Sequence, residues 1–527
     1  MLCRFLHAPT RKWLELEAKM WWHRIERSMK YCSIIGAHFV MMPVSFVWVY
    51  EDLSVYTDSY FRFACSPKCM DADSEWILSI CIAMVCPGIL IARKIAEKVG
   101  LKLAGILAAI ISNAVTLAFA WTVKISVAGT IVLLGVIMGL MQGVTCVVVL
   151  RYVLGWAPDK VPLFVGTTSS FTTLASLVHK EIIRAIVNPE HFQPDALMDS
   201  RTLFSQQKVL ERVPKAIIVY AAITGCFQFV GFLLLAPQPK PPEVSSGERE
   251  NSNSSSEDGS VDLDDKSSRK PLKNPHTPGQ RYGHEGYGSN GVIKWTLSQT
   301  ADKPIDASST LSLTKEKCTT PIEKDNQQKS VKPSEALKTP VFYVVSMFGM
   351  VTMFGISLKI HYYKHTELVY LNHKHYLTLV GILNPLVASA TRVLLGWALT
   401  KHYIKVKDAI VFTLAVNSVL SACWYVMQLT NTGLYMFLVL TLALIQNLLN
   451  MILLLTTLHV FGPACLSINF GLVLLSCTLV GVLSPLVIAS LTNLIGWIWL
   501  FGSASILSLS VLVLAVITDF SPQSSSP

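Results

Sequence analysis

The sequence predicts an all-α, multi-pass membrane protein whose twelve transmembrane helices form two six-helix bundles. Three observations carry this prediction. Of 527 residues, 52% are apolar and only 15% charged, against roughly 45–50% and about 25% in a soluble domain. Twelve apolar runs reach the ~20 residues that a helix needs to cross a bilayer, where backbone groups must be satisfied within the segment. A polar stretch over 237–338 divides those runs six and six.

Taken in order, residues 1–30 hold seven Lys/Arg and no apolar core ahead of a cleavage site. They read as a cytoplasmic amphipathic segment rather than a removable leader, with Trp13, Trp21 and Trp22 suited to an interfacial helix. Spans over about 31–50, 76–92, 103–123, 126–150, 162–187 and 214–236 make an N-terminal bundle, 31–236. Spans over about 340–360, 376–399, 409–428, 434–459, 467–491 and 496–518 make a C-terminal bundle, 339–519, followed by a short tail, 520–527. The intervening 237–338 is rich in Ser, Pro, Asn and charge and poor in large hydrophobes, the composition of a disordered linker. Its acidic serine tract around Ser254 is either a solvated tether or a place where phosphorylation acts by charge, and the linker is the natural contact for an accessory or regulatory protein.

Charge asymmetry orients the chain. With the amino terminus inside, the short inner segments carry sixteen Lys/Arg and the outer ones eight, or nine with Lys359. Both termini and the linker are therefore expected in the cytoplasm. A plasma membrane is the expected location, with an organelle membrane also compatible. The formal net charge of +10 lies at the ends of apolar runs rather than on one polar face, which argues against nucleic-acid binding. Most of the 12 cysteines sit inside apolar runs without paired spacing. Cys65 and Cys69 are the exception, a candidate disulfide in an outer segment. No phosphate-binding loop and no metal-ligand spacing occurs, so neither an enzyme activity nor a cofactor or metal is expected.

Local segments add a resemblance. Ala96-Glu97-Lys98-Val99-Gly100-Leu101-Lys102 follows the second span and is similar to the acid-basic-x-Gly-basic turn of the major facilitator superfamily, although Arg93 stands where that motif has glycine. In the second half, Arg392, Gly396, Thr400 and Lys401 resemble the segment ending helix eight in the monocarboxylate transporters and oxalate:formate antiporters, with Thr400 in place of an acid. Gly155-Trp156, Pro158-Asp159-Lys160 and Gly166, then Phe461-Gly462 with Gly471, Gly481, Ser484 and Pro485, resemble the same branch. The resemblance implies the major facilitator fold, two parallel repeats rocking around a midplane site. It also implies gating roles for Glu97, Lys98, Gly100, Gly396 and Lys401. The chain departs from the branch at Ala388, where an acid is expected, at Glu51-Asp52, where a lysine is expected, and over 467–491, which holds no charged side chain.

Arg392 is the leading binding candidate. A charge inside a span is costly unless it meets water, a partner or a substrate, and a guanidinium suits a carboxylate; its other reading is a structural lock of the inner gate. Lys180 and Arg184 share a face of span five and would either draw anions inward or pair with Glu181 and snorkel to headgroups. His38 is a candidate proton carrier or a packing residue. Gln446 and Asn450, one turn apart, either orient a substrate or join helices. The expected function is transmembrane transport of a small organic anion, a mono- or dicarboxylate, by alternating access, with exchange or uniport favoured over proton symport because of Ala388. The rival readings are a neutral or cationic solute, and a transporter-like receptor or scaffold acting through its linker.

Overall fold

The computed structural model describes residues 8–65, 69, 72, 74, 76–198, 201–237, 330–369, 374–428 and 432–522. Ten helices of these residues are long and apolar enough to cross a membrane, and Pro340–Gly355 and Met451–Phe461 are shorter apolar stretches of the same kind. Together they are consistent with twelve spans.

Span one opens as a single helix, Ala8–Val40, that carries the amphipathic segment straight into the apolar run. Pro43 then sits in a 3-10 turn, Met42–Ser45, after which the chain resumes as Phe46–Phe63. Proline has no N–H to donate and clashes with the preceding turn, so the axis breaks here. The outer segment expected to be a loop from residue 51 is thus helical to Phe63. Leu53, Thr57 and Phe61, four residues apart, are buried on one face, a helical period that the polar residues between them obscured.

Spans two, three, five and six follow as Trp76–Val99, Leu101–Thr122, Val161–Val187 and Val213–Leu234. Span four, Val127–Trp156, starts where Ser126 Oγ accepts the Gly129 N–H at 2.8 Å, and runs through a π-helical stretch, Ile131–Met138. Its glycines bring it backbone to backbone with span two. A Cβ at Gly139 would lie 2.4 Å from the Cys81 carbonyl oxygen, and one at Gly143 2.3 Å from that of Val85. The second half supplies Pro340–Val369, Lys374–Thr400, Val406–Gln428 and Thr432–Phe461 as spans seven to ten. Leu466–Ile517 contains spans eleven and twelve, divided at Gly496, whose φ of 76° only glycine adopts easily.

Two pairs of contacts repeat between the halves. Lys102 Nζ at the start of span three donates to the Leu235 carbonyl at 2.8 Å, and Lys407 Nζ at the start of span nine donates to the Val516 and Thr518 carbonyls at 3.0 Å. Each ammonium meets carbonyls at a helix C-terminus, where the helix dipole favours a cation by about 0.3–1 kcal/mol. Asn113 bonds Gln228 between spans three and six, and Asn417 bonds Ser508 at 2.8 Å between nine and twelve. Such amide and hydroxyl bonds join helices where lipid offers no partner.

The two ends of the molecule differ. At one, a hairpin pairs Ala196–Met198 with Arg201–Leu203, Ala196 opposite Leu203. Phe204 anchors it, its N–H donating to Ser59 Oγ at 2.9 Å and its ring stacked on Tyr56 at 5.1 Å. Cys65 and Cys69 form a disulfide on this hairpin face, with Cα atoms 6.0 Å apart. Arg212 donates twice to Glu190 and holds that carboxyl below the ordinary glutamate range, and the Ser205 hydroxyl and N–H do the same for Asp195. The opposite, linker face carries residues 237 and 330. The segment expected to be linker through 338 is in fact folded from 330. The Val331 N–H donates to the Phe461 carbonyl at 3.0 Å, Asn469 Nδ2 donates to the Val331 carbonyl at 3.1 Å, and Pro333–Ala336 makes a short helix. Val331 and Ala336 are buried among Phe342, Phe461 and Phe520, enough apolar contact to order nine residues that composition assigned to the tether.

Candidate functional site

A cavity of about 370 Å³ lies between the halves. Spans one, two, four and five line it from the first half, and seven, eight, ten and eleven from the second. Most of its wall is apolar, including Met41, Val147, Phe164, Leu454 and Phe470, and no lining residue is acidic. Its single formal charge among the described lining residues is Arg392.

Arg392 is 4% exposed, and four of its five N–H donors are engaged, all by neutral acceptors. Nη1 donates to the Ser169 carbonyl at 3.0 Å and to Thr173 Oγ1, both on span five, while Nη2 donates to Asn447 Oδ1 on span ten. The guanidinium therefore bridges the halves without a carboxylate. Hydrogen bonds engage four of its five N–H groups but leave its charge uncompensated among the described residues, the condition in which a buried cation gains most from an anion.

Beside Arg392 and on toward the linker face, spans five and eight close on one another. Ser170 Oγ donates to the Ser389 carbonyl at 2.7 Å, and Ser389 Oγ returns the bond to the Ser170 carbonyl at 3.2 Å. A Cβ at Gly166 would meet the Arg392 carbonyl oxygen at 2.5 Å, and one at Gly396 would meet that of Pro162 at the same distance. Thr400 Oγ1 then accepts the Leu163 N–H at 3.1 Å, so the hydroxyl does at this helix N-terminus what an acid in its place would do. Spans two and eleven make a second closure, with Cys86 Sγ donating to the Gly471 carbonyl at 3.1 Å and Thr478 Oγ1 to the Ala83 carbonyl at 3.2 Å.

The other candidates fall elsewhere. Lys180 pairs with Asp52 at 3.0 Å and Arg184 with Glu181 at 3.4 Å, and neither lines the cavity. Of the two alternatives the sequence left open, Arg184 has the expected Glu181 beside it, while Lys180 meets Asp52 rather than open headgroups. His38 is also off the cavity. Its Nδ1 meets the Ile34 carbonyl at 2.7 Å and its Nε2 meets Thr167 Oγ1 at 3.1 Å, a bond between spans one and five. The Gln446 and Asn450 side chains lie outside the described residues. Of the gating candidates, Glu97 is paired with Arg93 at 2.6 Å, Gly100 turns the chain at φ 86°, and Lys98 and Lys401 are exposed. Only Gly396 enters the contact between halves. Ser169, Ser170, Thr173 and Ser389 escaped the sequence reading although the run Thr167-Thr168-Ser169-Ser170-Phe171-Thr172-Thr173 was a legible signal, an unusual density of hydroxyls in a membrane span.

Comparison with known proteins agrees with this architecture. The family model described as Major Facilitator Superfamily matches residues 38–485. A solved structure titled as a major facilitator superfamily transporter, FucP, in the outward conformation is similar to this chain with a TM-score of 0.53 at 9% identity, covering 92% of this chain and 97% of that one. No curated protein sequence matches the chain.

Proposed function

Because the chain belongs to the major facilitator superfamily, a family of transporters, we propose that the cavity binds a small organic anion, a mono- or dicarboxylate, and carries it across the bilayer by alternating access. One observation carries this reading: the guanidinium of Arg392 is buried on the cavity wall with neutral partners only. A carboxylate supplies the missing countercharge in fork geometry, and the apolar wall accepts its hydrocarbon part. Nη1 is also the donor that ties Arg392 to span five. An anion that takes this donor loosens the closure between spans five and eight, which links binding to opening. Among the described residues no acid or histidine lines the cavity, which supports exchange or uniport as the cycle. The linker face is the cytoplasmic face on the charge asymmetry of the sequence, and the plasma membrane is the proposed location.

A second reading has its own observation. Arg392 spends its donors across the two halves, as a lock would, which leaves room for a neutral or cationic solute. The test is uptake of labelled acetate, pyruvate, phenylpyruvate and succinate into proteoliposomes, wild type beside Arg392→Ala. Saturable uptake that rises with trapped anion and is lost in the variant supports the anion reading. Wild-type protein that is folded yet takes up none of the four, while taking up a labelled sugar or amine, supports the second.

A further inference from the structure

The break in span one is surrounded by buried polar groups with unused hydrogen-bonding capacity. Ser45 closes the 3-10 turn, and its hydroxyl faces that of Tyr220 on span six. The Tyr220 ring meets His179 of span five edge-on at 5.0 Å. Gln142 of span four donates to the Pro43 carbonyl at 3.3 Å and is itself part of the cavity wall. All four side chains are at most 3% exposed. Yet Ser45 Oγ, Tyr220 Oη, Gln142 Oε1 and both ring nitrogens of His179 make no hydrogen bond of full geometry among the described residues, the nearest approaches being Ser45 to Tyr220 and His179 to the Ala175 carbonyl. Buried polar atoms are nearly always paired, so four neighbouring groups with spare capacity around one helix break need an explanation. Packing alone does not provide one, since Phe in place of Tyr220 and Leu in place of His179 would fill the volume without orphaned atoms.

His179 is also aligned with the transport path. Thr168, Thr172, Ala175 and His179 succeed one another at three or four residues along one face of span five, and Thr168 and Thr172 line the cavity. The imidazole thus stands about 10 Å beyond Thr172 toward the hairpin face, at 1.5 Å per residue. The group packed against it is Tyr220, with Ser45 and the Cys81 thiol in turn neighbouring Tyr220. None is a carboxylate. The nearest charges on its own helix, Lys180 and Glu181, are held by Asp52 and Arg184. Among the described residues no unpaired countercharge stands beside the ring.

We propose that His179 is a proton-binding site that couples the break in span one to the pH on the hairpin side. When the break opens, water reaches the cluster and the imidazole takes a proton, and the two ring N–H groups then donate to the Tyr220 oxygen or to the admitted water. Release of that proton is needed to reseal. Low pH on the hairpin side therefore favours the conformer open to that side and raises the rate of substrate capture, whether or not the proton travels with the substrate. The proposal rests on the transport reading for its consequence but not for its chemistry, so it is tested in two arms.

In the first arm, full-length protein in nanodiscs carries ¹⁵N-labelled histidine. One imidazole signal, identified by its loss in His179→Gln, is expected to titrate between roughly pH 5 and 8, and to move to a different midpoint in Tyr220→Phe. A signal that stays neutral through pH 5 in protein eluting as a folded particle overturns the proposal. The second arm measures labelled phenylpyruvate uptake against pH on the hairpin side, at fixed opposite pH and zero potential. Wild-type uptake is expected to rise several-fold on acidification and that of His179→Gln to stay flat at a measurable rate. An equal rise in both overturns the proposal. If no anion is transported, the function proposed above fails, and the titration arm still decides whether His179 binds a proton.

Discussion

The closure between spans five and eight makes one substitution informative. In Gly396→Ala the new methyl would stand 2.5 Å from the Pro162 carbonyl oxygen and 3.1 Å from Leu163 Cα. Ordinary contact begins near 3.4 Å, so the helices must part by about 0.9 Å. Both contacts are backbone, and no side chain can turn away to absorb them. The Leu163 to Thr400 hydrogen bond, 3.1 Å in the native protein, would stretch to about 4 Å and break. Overpacking costs about 1–3 kcal/mol and the bond about 1 kcal/mol, giving roughly 2–4 kcal/mol against the state closed on the linker side. At 1.4 kcal/mol per factor of ten, that shifts the open-to-closed ratio by roughly 30- to 700-fold. Cys146 and Cys86 line the cavity and report on this shift. A membrane-impermeant maleimide added to the linker face should label Gly396→Ala at least about tenfold faster than wild type, and Cys146→Ser should remove part of that signal. Equal labelling rates in folded protein would show that this closure is not a gate.

Three further outcomes are expected. Lys180→Met should change the apparent KM for any transported anion by less than about twofold, since Lys180 is neutralised by Asp52 and lies off the cavity; a tenfold rise would restore it as an attraction site. Asn469→Ala removes the bond to the Val331 carbonyl and should lower stability by about 1 kcal/mol while hastening tryptic cleavage after Lys338, both measurable on purified protein. Asp195 and Glu190 have depressed pKa values, so the support they lend the hairpin is complete above the ordinary carboxylate range and is lost as pH falls through their folded values. Hydrogen exchange at Leu203 and Phe204, corrected for intrinsic rate, should accelerate below about pH 4, and Asp195→Asn should remove much of the pH dependence.

The fold was legible because bilayer thickness and backbone satisfaction leave few solutions for apolar runs of this length. What escaped lay at the ends of those runs. The helix from Phe46 to Phe63 carries Glu51, Asp52 and Asp58, and hydropathy sees those charges before it sees the buried Leu53, Thr57 and Phe61. Residues 330–338 look like linker by composition and are ordered by two backbone contacts and two small apolar residues. At the site, Arg392 was legible because a charge in a span stands out. Lys180 and Arg184 stood out equally, and only three-dimensional proximity identifies Asp52 as the partner of one. Ser170 and Ser389 were invisible for the opposite reason, since a serine in a span has many bland uses and its partner lies 219 residues away.

The closure between the halves is held by Ser170, Ser389, Thr400, Cys86 and Thr478 against backbone groups, together with glycine contacts. No surface ion pair is part of these bonds. Debye screening, which weakens exposed charge pairs over about 8–10 Å at physiological ionic strength, has nothing among these bonds to act on. The closed state should hold equally well in dilute buffer and in molar salt. Its opening is governed instead by what competes for hydrogen bonds, which in a sealed protein means water admitted at the helix ends and the solute at Arg392.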